Sequence, residues 1–363
     1  MSKEIENIQL YNKIAQLIEL ARRKVASAVN LTMVHTYFEI GRMIVEDEQQ
    51  GKERAAYGKT VLIDLAVRLT EKFGKGFSEP NLRNMRKLFL IYSDRAIQQK
   101  PSTELLNAEY KQDAIWQKPS TNSQYFTLSW SHYLVLMRIE NPQERSFYEI
   151  EAFNQQWSEP QLKRQYHSSL YERLALSRNK EEVMKLANEG QTMVKPEDIL
   201  KNPLSLEFLG MEEKEYYTET DMENAIITKL QQFILEMGKG FLFEARQKRF
   251  TFDEKHYFVD LIFYNRLLQC FVVIDLKTKE LVHKDLGQMQ MYVNYYDRNV
   301  KLEYEKPTIG ILLCKKKNNA LVELTLPKDA NIYASEYSLY LPDKQLLQQK
   351  LAEWIAEFEE NKE

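Results

Sequence analysis

The sequence predicts a chain of two kinds, a helical first half followed by an α/β second half built on a mixed central sheet. Two observations predict it. Up to about residue 190, apolar residues recur every three or four positions, the mark of amphipathic helices. Beyond residue 220, a helix is followed by short runs rich in Phe, Tyr, Val and Ile between turn-like residues, in the order helix, three strands, helix, strand. The expected bounds are 1–189 for the helical part, 190–220 for a linker and 221–363 for the α/β part.

In the first half, Leu10, Ile14, Leu17, Ile18, Ala21 and Val25 form one stripe between Ile8 and Val29. Two further stripes cover Met33–Glu46 and Thr60–Phe73. Gly74-Lys75-Gly76 breaks the last of these, and Ser78-Glu79-Pro80 restarts a helix over Asn81–Tyr92. Serine caps a helix well, while glutamate and proline suit its first turn. Helix, glycine turn, helix is the outline of a helix-turn-helix. The restart recurs at Trp157-Ser158-Glu159-Pro160, again with an aromatic before the cap. Residues 96–125, rich in Gln, Ser, Thr and Asn, read as a surface excursion. Residues 190–220, with Pro196, Pro203, Gly210 and acids from Glu212 to Glu219, read as the linker.

In the second half an amphipathic helix over Met222–Met237 ends at Gly238-Lys239-Gly240. Strands are expected at Phe241–Phe250, Tyr257–Tyr264 and Leu268–Leu276, then a helix over Leu286–Tyr296. The continuous apolar run Thr308–Cys314 suits a strand covered on both faces. A strand pair (Leu321–Leu326 and Ser338–Leu341) and a helix from Gln345 to Phe358 complete the domain.

Composition bounds the function. Fifty basic and 53 acidic residues among 363 leave a net charge of −3, so only a local basic face could serve a polyanion. Two cysteines, Cys270 and Cys314, cannot build a disulfide framework or a four-cysteine zinc site. No apolar stretch approaches the roughly 20 residues of a membrane span. The first residues, Met1 to Glu6, lack the apolar core of a signal peptide. A cytoplasmic protein without membrane contact is the expectation.

Two acids interrupt otherwise apolar strands. Asp260 sits within Tyr257–Tyr264, and Asp275 and Lys277 end the run that starts at Phe271. Residues two apart on a strand share a face, so Asp275 and Lys277 project together. If the strands pair around Asn265–Leu267, Asp260 and Asp275 face one another at the sheet edge. Facing carboxylates repel and call for a cation, and Mg²⁺ binds through one or two carboxylates plus phosphate oxygens. A structural salt bridge from Lys277 to either acid is the plainer alternative. Around residues 71–100 the chain carries seven basic residues against three acidic ones. Arg83, Arg86 and Lys87 share one side of the second helix of the pair, placed for phosphate or groove contact or simply for solvent.

The chain resembles the PD-(D/E)xK phosphodiesterase superfamily and, within it, the YhcG-type nucleases. In the second half the resemblance rests on Gly238-Lys239-Gly240-Phe241, Glu244-Ala245-Arg246-Gln247, Phe258–Tyr264, Val272–Lys277 and Gly287–Tyr292. In the first half it rests on Leu128–His132, Phe147-Tyr148, Leu170–Leu174 and the element Leu206–Gly210. Two positions depart from the pattern: Val259 stands where the superfamily has proline, and Asp275 where this branch usually has glutamate. The resemblance implies a restriction-endonuclease-like second domain and a metal-dependent nuclease. Asp260 and Asp275 would hold Mg²⁺, or Mn²⁺ in its place, with the carbonyl of Leu276 as a further ligand. Lys277 would orient the attacking water, and Gln288 and Tyr292 match a Q-x-x-x-Y signature. Glu223 would reach the metal through water, or else close a capping box on Thr220. Arg246 and Gln247 would reach DNA phosphate, and His256 and His283 read as surface residues. The expected partner is DNA, with RNA left open, in a chain that could form a homodimer. The competing function is a non-catalytic nucleic-acid-binding or assembly protein that keeps the nuclease fold.

Overall fold

The computed structural model describes residues 29–48, 55–98, 126–176, 180–201, 203–211, 217–252, 254–327, 330–341 and 343–360. The stripe expected over 8–28 and the excursion over 99–125 lie outside these. The chain packs as two compact units, Met1–Arg145 with Ala152–Leu162, and Ser146–Glu151 with Lys163–Glu363.

In the first unit, helix α1 covers residues 29–48, α2 Ala55–Phe73, α3 Glu79–Gln98 and α4 Trp130–Leu136. The glycine turn falls between α2 and α3 as expected, with Gly74 and Gly76 both at positive φ. Ile44, Leu62, Ala66, Leu82 and Met85 form one core among α1, α2 and α3. Gly41 lets α1 approach α3 closely, since a Cβ there would stand 2.1 Å from the Met85 carbonyl oxygen. Trp130 pins α4 to this core by donating its indole N–H to Asn81 at 3.1 Å.

Helix α5 (Pro142–Asn154) begins in the first unit and crosses into the second, and the second restart does begin a helix, α6 (Glu159–His167). Helices α7 (Leu170–Ala175) and α8 (Lys180–Glu189) follow. The stretch read as a linker then joins the sheet: β1 (Leu204–Ser205) pairs in parallel with a strand more than 130 residues later. Helices α9 (Glu219–Thr228) and α10 (Leu230–Met237) replace the single helix expected, because the backbone leaves helical geometry at Lys229. Strands β2 (Phe241–Phe252), β3 (Lys255–Asn265) and β4 (Cys270–Glu280) form an antiparallel meander. Helix α11 (His283–Asn299) leads to β5 (Ile309–Lys316), helix α12 (Asn319–Thr325), β6 (Ile332–Ser338) and helix α13 (Lys344–Glu360).

The sheet order is β1-β6-β5-β4-β3-β2, parallel from β1 to β4 and antiparallel beyond. One face packs against α9 and α10 through residues such as Met222, Ile226, Phe233, Leu261 and Leu276. The other packs against α11 through Leu286, Met289, Tyr292 and Val273. The strand expected at Leu321–Leu326 is instead α12. Its N-cap, Asn318, accepts the Leu321 N–H at 3.1 Å, and that bond starts a helix where the apolar alternation suggested a strand.

A buried polar junction ties α6 and α7 to β1 and α10. Glu236 is fully buried and pairs with Arg173 and, at 3.1 Å, with Arg164. It also accepts the Ser205 N–H at 3.0 Å, and its own carbonyl accepts from Lys201. Arg164 reaches on to Glu207 at 2.9 Å. Burial opposes ionised Glu236, but Arg173, Lys201 and Arg164 outweigh it and hold its pKa down at about 2. The Leu170–Leu174 and Leu206–Gly210 motifs are therefore linked by the chain of pairs Arg173–Glu236–Arg164–Glu207.

Candidate active site

The register of β3 and β4 ends at Leu261↔Ile274, and one more step would set Asp260 opposite Asp275. The two acids do come together, though not at the sheet's edge as expected. β3 and β4 are inner strands that part there, β3 staying with β2 as far as Phe252↔Lys255 and β4 with β5 as far as Glu280↔Lys316. The site lies in the crotch of this fork. Asp260 accepts the Leu276 N–H at 2.8 Å, which closes the gap between the strands. That backbone N–H, beside the carbonyl proposed as a ligand, fixes the aspartate's orientation.

Asp275 is buried. Its Oδ2 lies 2.8 Å from Lys277 Nζ, which is also 3.6 Å from Glu219. Burial, and then the charge of Asp260, raise the Asp275 carboxyl to about 7 against the pull of Lys277. Burial works against the Lys277 charge, yet Asp275 prevails and holds its pKa above the ordinary lysine value. These are the electrostatics of two acids sharing too little positive charge.

Glu223 is buried on α9 and faces the same site. The cap of α9 is a Thr218–Asp221 box, with Asp221 accepting the Thr218 N–H at 3.0 Å, so the reading of Glu223 as the capping acid of Thr220 is overturned. Glu223 instead accepts from the Gln247 side-chain amide at 2.6 Å, and the same nitrogen donates to Asp260 at 3.0 Å. Gln247 does not reach outward for phosphate in this structure; it bridges two carboxylates. Its φ of 45° is left-handed, which glutamine adopts at a cost. That kink lets consecutive residues turn to the same helix, for Arg246 also meets α9, 3.4 Å from Asn224 and 3.9 Å from Glu223. In a regular strand they would point to opposite sides.

Gln288 and Tyr292 lie one turn apart on α11 and are hydrogen-bonded to each other. The Tyr292 hydroxyl donates to the Phe258 carbonyl at 2.8 Å, fastening α11 to β3 just before Asp260. Its burial pushes the phenol up to about 12, so it stays a donor. His256 bonds to Thr251 at 2.9 Å on the exposed hairpin and His283 opens α11 in solvent, both at the surface as expected. In the first unit, Arg83 is paired with Glu79, and Arg86 with Glu48 at 2.7 Å; Lys87 is exposed.

Among the described residues, no three His, Cys, Asp or Glu side chains converge into a finished metal centre. The donor chemistry nonetheless fits a hard divalent cation: oxygen ligands only, and two facing carboxylates, one of them raised by burial and by the charge of the other.

A mixed sheet with an aspartate on one strand and an aspartate-x-lysine on the next defines the PD-(D/E)xK, restriction-endonuclease-like class. Residues 197–352 match the YhcG PDDEXK nuclease domain, and residues 13–173 match the DUF1016 N-terminal domain. The chain is 38% identical over 361 residues to a protein of Escherichia coli (strain K12) named "Putative nuclease YhcG", covering 97% of this chain and 95% of that one. The chain belongs to the YhcG family of PDDEXK nucleases. It is also similar to a repair endonuclease from Pyrococcus abyssi (20% identity, TM-score 0.24, 36% of this chain and 50% of that one). A structure of EndoMS in complex with double-stranded DNA gives 20% identity and a TM-score of 0.25, over 37% of this chain and 49% of that one. No helix among the described residues is long and apolar enough to cross a membrane.

Proposed function

We propose that the chain is a divalent-metal-dependent nuclease that hydrolyses phosphodiester bonds of DNA in the fork between β3 and β4. The observation that supports it most is the buried Asp275 held between Asp260 and Lys277, an arrangement costly to keep for structure alone. Asp260, Asp275 and the Leu276 carbonyl would hold the cation, Mg²⁺ or Mn²⁺, with Glu223 behind. When bound, the cation would polarise the phosphate and offset its charge. Lys277, steered by Asp275 and Glu219, would orient the attacking water by hydrogen bonding and face the charge that develops on the phosphate. Tyr292 and Gln288 hold β3 against α11, so that Asp260 keeps its place. Arg246, beside Glu223 and half exposed, stands where it could steady a neighbouring phosphate. In the first unit, Lys87 would meet DNA, Arg83 and Arg86 being paired with Glu79 and Glu48.

The test is cleavage of a panel of labelled DNA structures by the purified chain, with EDTA and with millimolar Mg²⁺. Metal-dependent cleavage by wild type is expected, and Lys277→Ala should abolish it in a chain that still folds, with a lower melting temperature because Asp275 loses its cation. Undiminished turnover in that variant would remove Lys277 from the mechanism.

A further inference from the structure

The pairing of β2 with β3 outruns that of β3 with β4, so residues 247–252 and 255–259 form a two-stranded arm extending past the fork. Along β3, Phe258 is exposed, Val259 buried and Asp260 partly exposed, an alternation that sends Phe258 and Asp260 to the same side. The two are about 7 Å apart along the strand at ordinary strand rise. Arg249 lies directly opposite Phe258 in the register.

The arm is rigid where it carries this pair. Phe250 stacks on Tyr295 of α11 with ring centres 4.1 Å apart, and Tyr292 clamps the Phe258 carbonyl. A phenylalanine ring 45% exposed is thus held on a fixed backbone beside the candidate site. From Arg246 through Phe258 the sequence has four Lys and Arg residues and two acidic ones. Among the described residues no carboxylate pairs with Arg249 or Lys255, and both are exposed. A basic ribbon that presents an aromatic face matches a sugar-phosphate strand whose bases are unpaired. A duplex offers its phosphates but hides its base faces, so it leaves the ring without a partner.

We propose that this arm is a track for single-stranded nucleic acid, with a base stacked on Phe258 and a phosphate held by Arg249, leading the strand to Asp260. The proposal rests on the nuclease reading and narrows its substrate to nucleic acids with an unpaired segment, such as a flap, fork or overhang.

The experiment measures binding in EDTA, where no cleavage occurs, by fluorescence anisotropy. The ligands are a labelled single-stranded DNA 20-mer, the matching duplex and a single-stranded RNA 20-mer. Phe258→Ala and Phe258→Leu should each weaken single-strand binding by about fivefold or more, the lower end for one stacked base, and leave duplex binding within about twofold. Phe258→Tyr should bind as wild type does. Arg249→Ala should lower the slope of log affinity against log salt by about 0.7 on the single strand. The same losses on RNA rather than DNA would also uphold the track. Equal losses on single strand and duplex, no loss in either Phe258 variant, or no single-strand binding by wild type would overturn it. Phe258-dependent binding by a chain that cleaves nothing with any divalent cation would sink the nuclease reading alone. Cleavage by a chain whose binding ignores Phe258 would sink the track alone.

Discussion

Asp275 is the residue on which the site's energetics turn. Its carboxyl, ordinarily near 3.8, is raised to about 7 by burial and by Asp260. Between about pH 4 and about pH 7 the folded chain therefore keeps a proton that the unfolded chain has released. Stability falls as pH rises through that window and levels off above it. In EDTA the wild-type melting temperature should drop across the window, and Asp275→Asn should flatten the drop. A flat wild-type profile would show that Asp275 is charged at little cost. Asp260→Asn removes the charge that burdens Asp275 while leaving an oxygen to accept the Leu276 N–H. Its metal-free form should melt as high as wild type or higher at neutral pH, but lose the rise that Mg²⁺ confers on wild type by binding the folded state. A structural salt bridge predicts the reverse, a destabilised variant and an unresponsive wild type, and thermal melts of both proteins with EDTA and with Mg²⁺ distinguish the two.

At the scale of elements, what could be read from the sequence depended on how local the cause was. Asp260, Asp275 and Lys277 stand out because charge in a continuous apolar run has few innocent explanations, and β2 to β5 follow from their own composition. Other features escaped, each for its own reason. β1 has two residues between Pro203 and Leu206 and exists only because β6 offers it an edge. The cap of α9 had two threonines to choose from, Thr218 and Thr220, and the spacing to an acid suits both. The role of Gln247 depends on a left-handed backbone within a strand, for which glutamine gives no sign. The polar junction was equally hidden, since Arg173 and Glu236 are 63 residues apart. Arg173→Met should destabilise the protein by about 3–5 kcal/mol, because it strands a buried carboxylate. Denaturant melts would check it, and a loss below about 1 kcal/mol would mean that Arg164 and Lys201 suffice.

For the whole molecule, a net charge of −3 means that any attraction to a polyanion is local. On the first unit it is thinner than the sequence suggested, because Arg83 and Arg86 already answer to Glu79 and Glu48. Lys87 is exposed and has no ion pair among the described residues. Replacing Arg83, Arg86 and Lys87 together with alanine should lower the salt slope for duplex DNA by about 0.9 for each true phosphate contact. A change near one is expected, carried by Lys87. An unchanged slope would mean that this helix does not touch DNA.

The junction around Glu236 also governs the order in which the chain can become itself. The two matched families meet between residues 173 and 197, which invites cutting the protein there. Yet Arg164 and Arg173 fall on one side of that cut, and Glu236, Ser205 and Glu207 on the other. During synthesis both arginines leave the ribosome long before their carboxylate does, 72 and 63 residues ahead. Until α10 emerges, Arg164 has only Glu207 to pair with and Arg173 has no carboxylate at all, so the buried junction cannot form before that portion is made. The seam between the two families is thus stitched by charge, and a piece ending before residue 236 would carry Arg173 without the carboxylate that it is buried against.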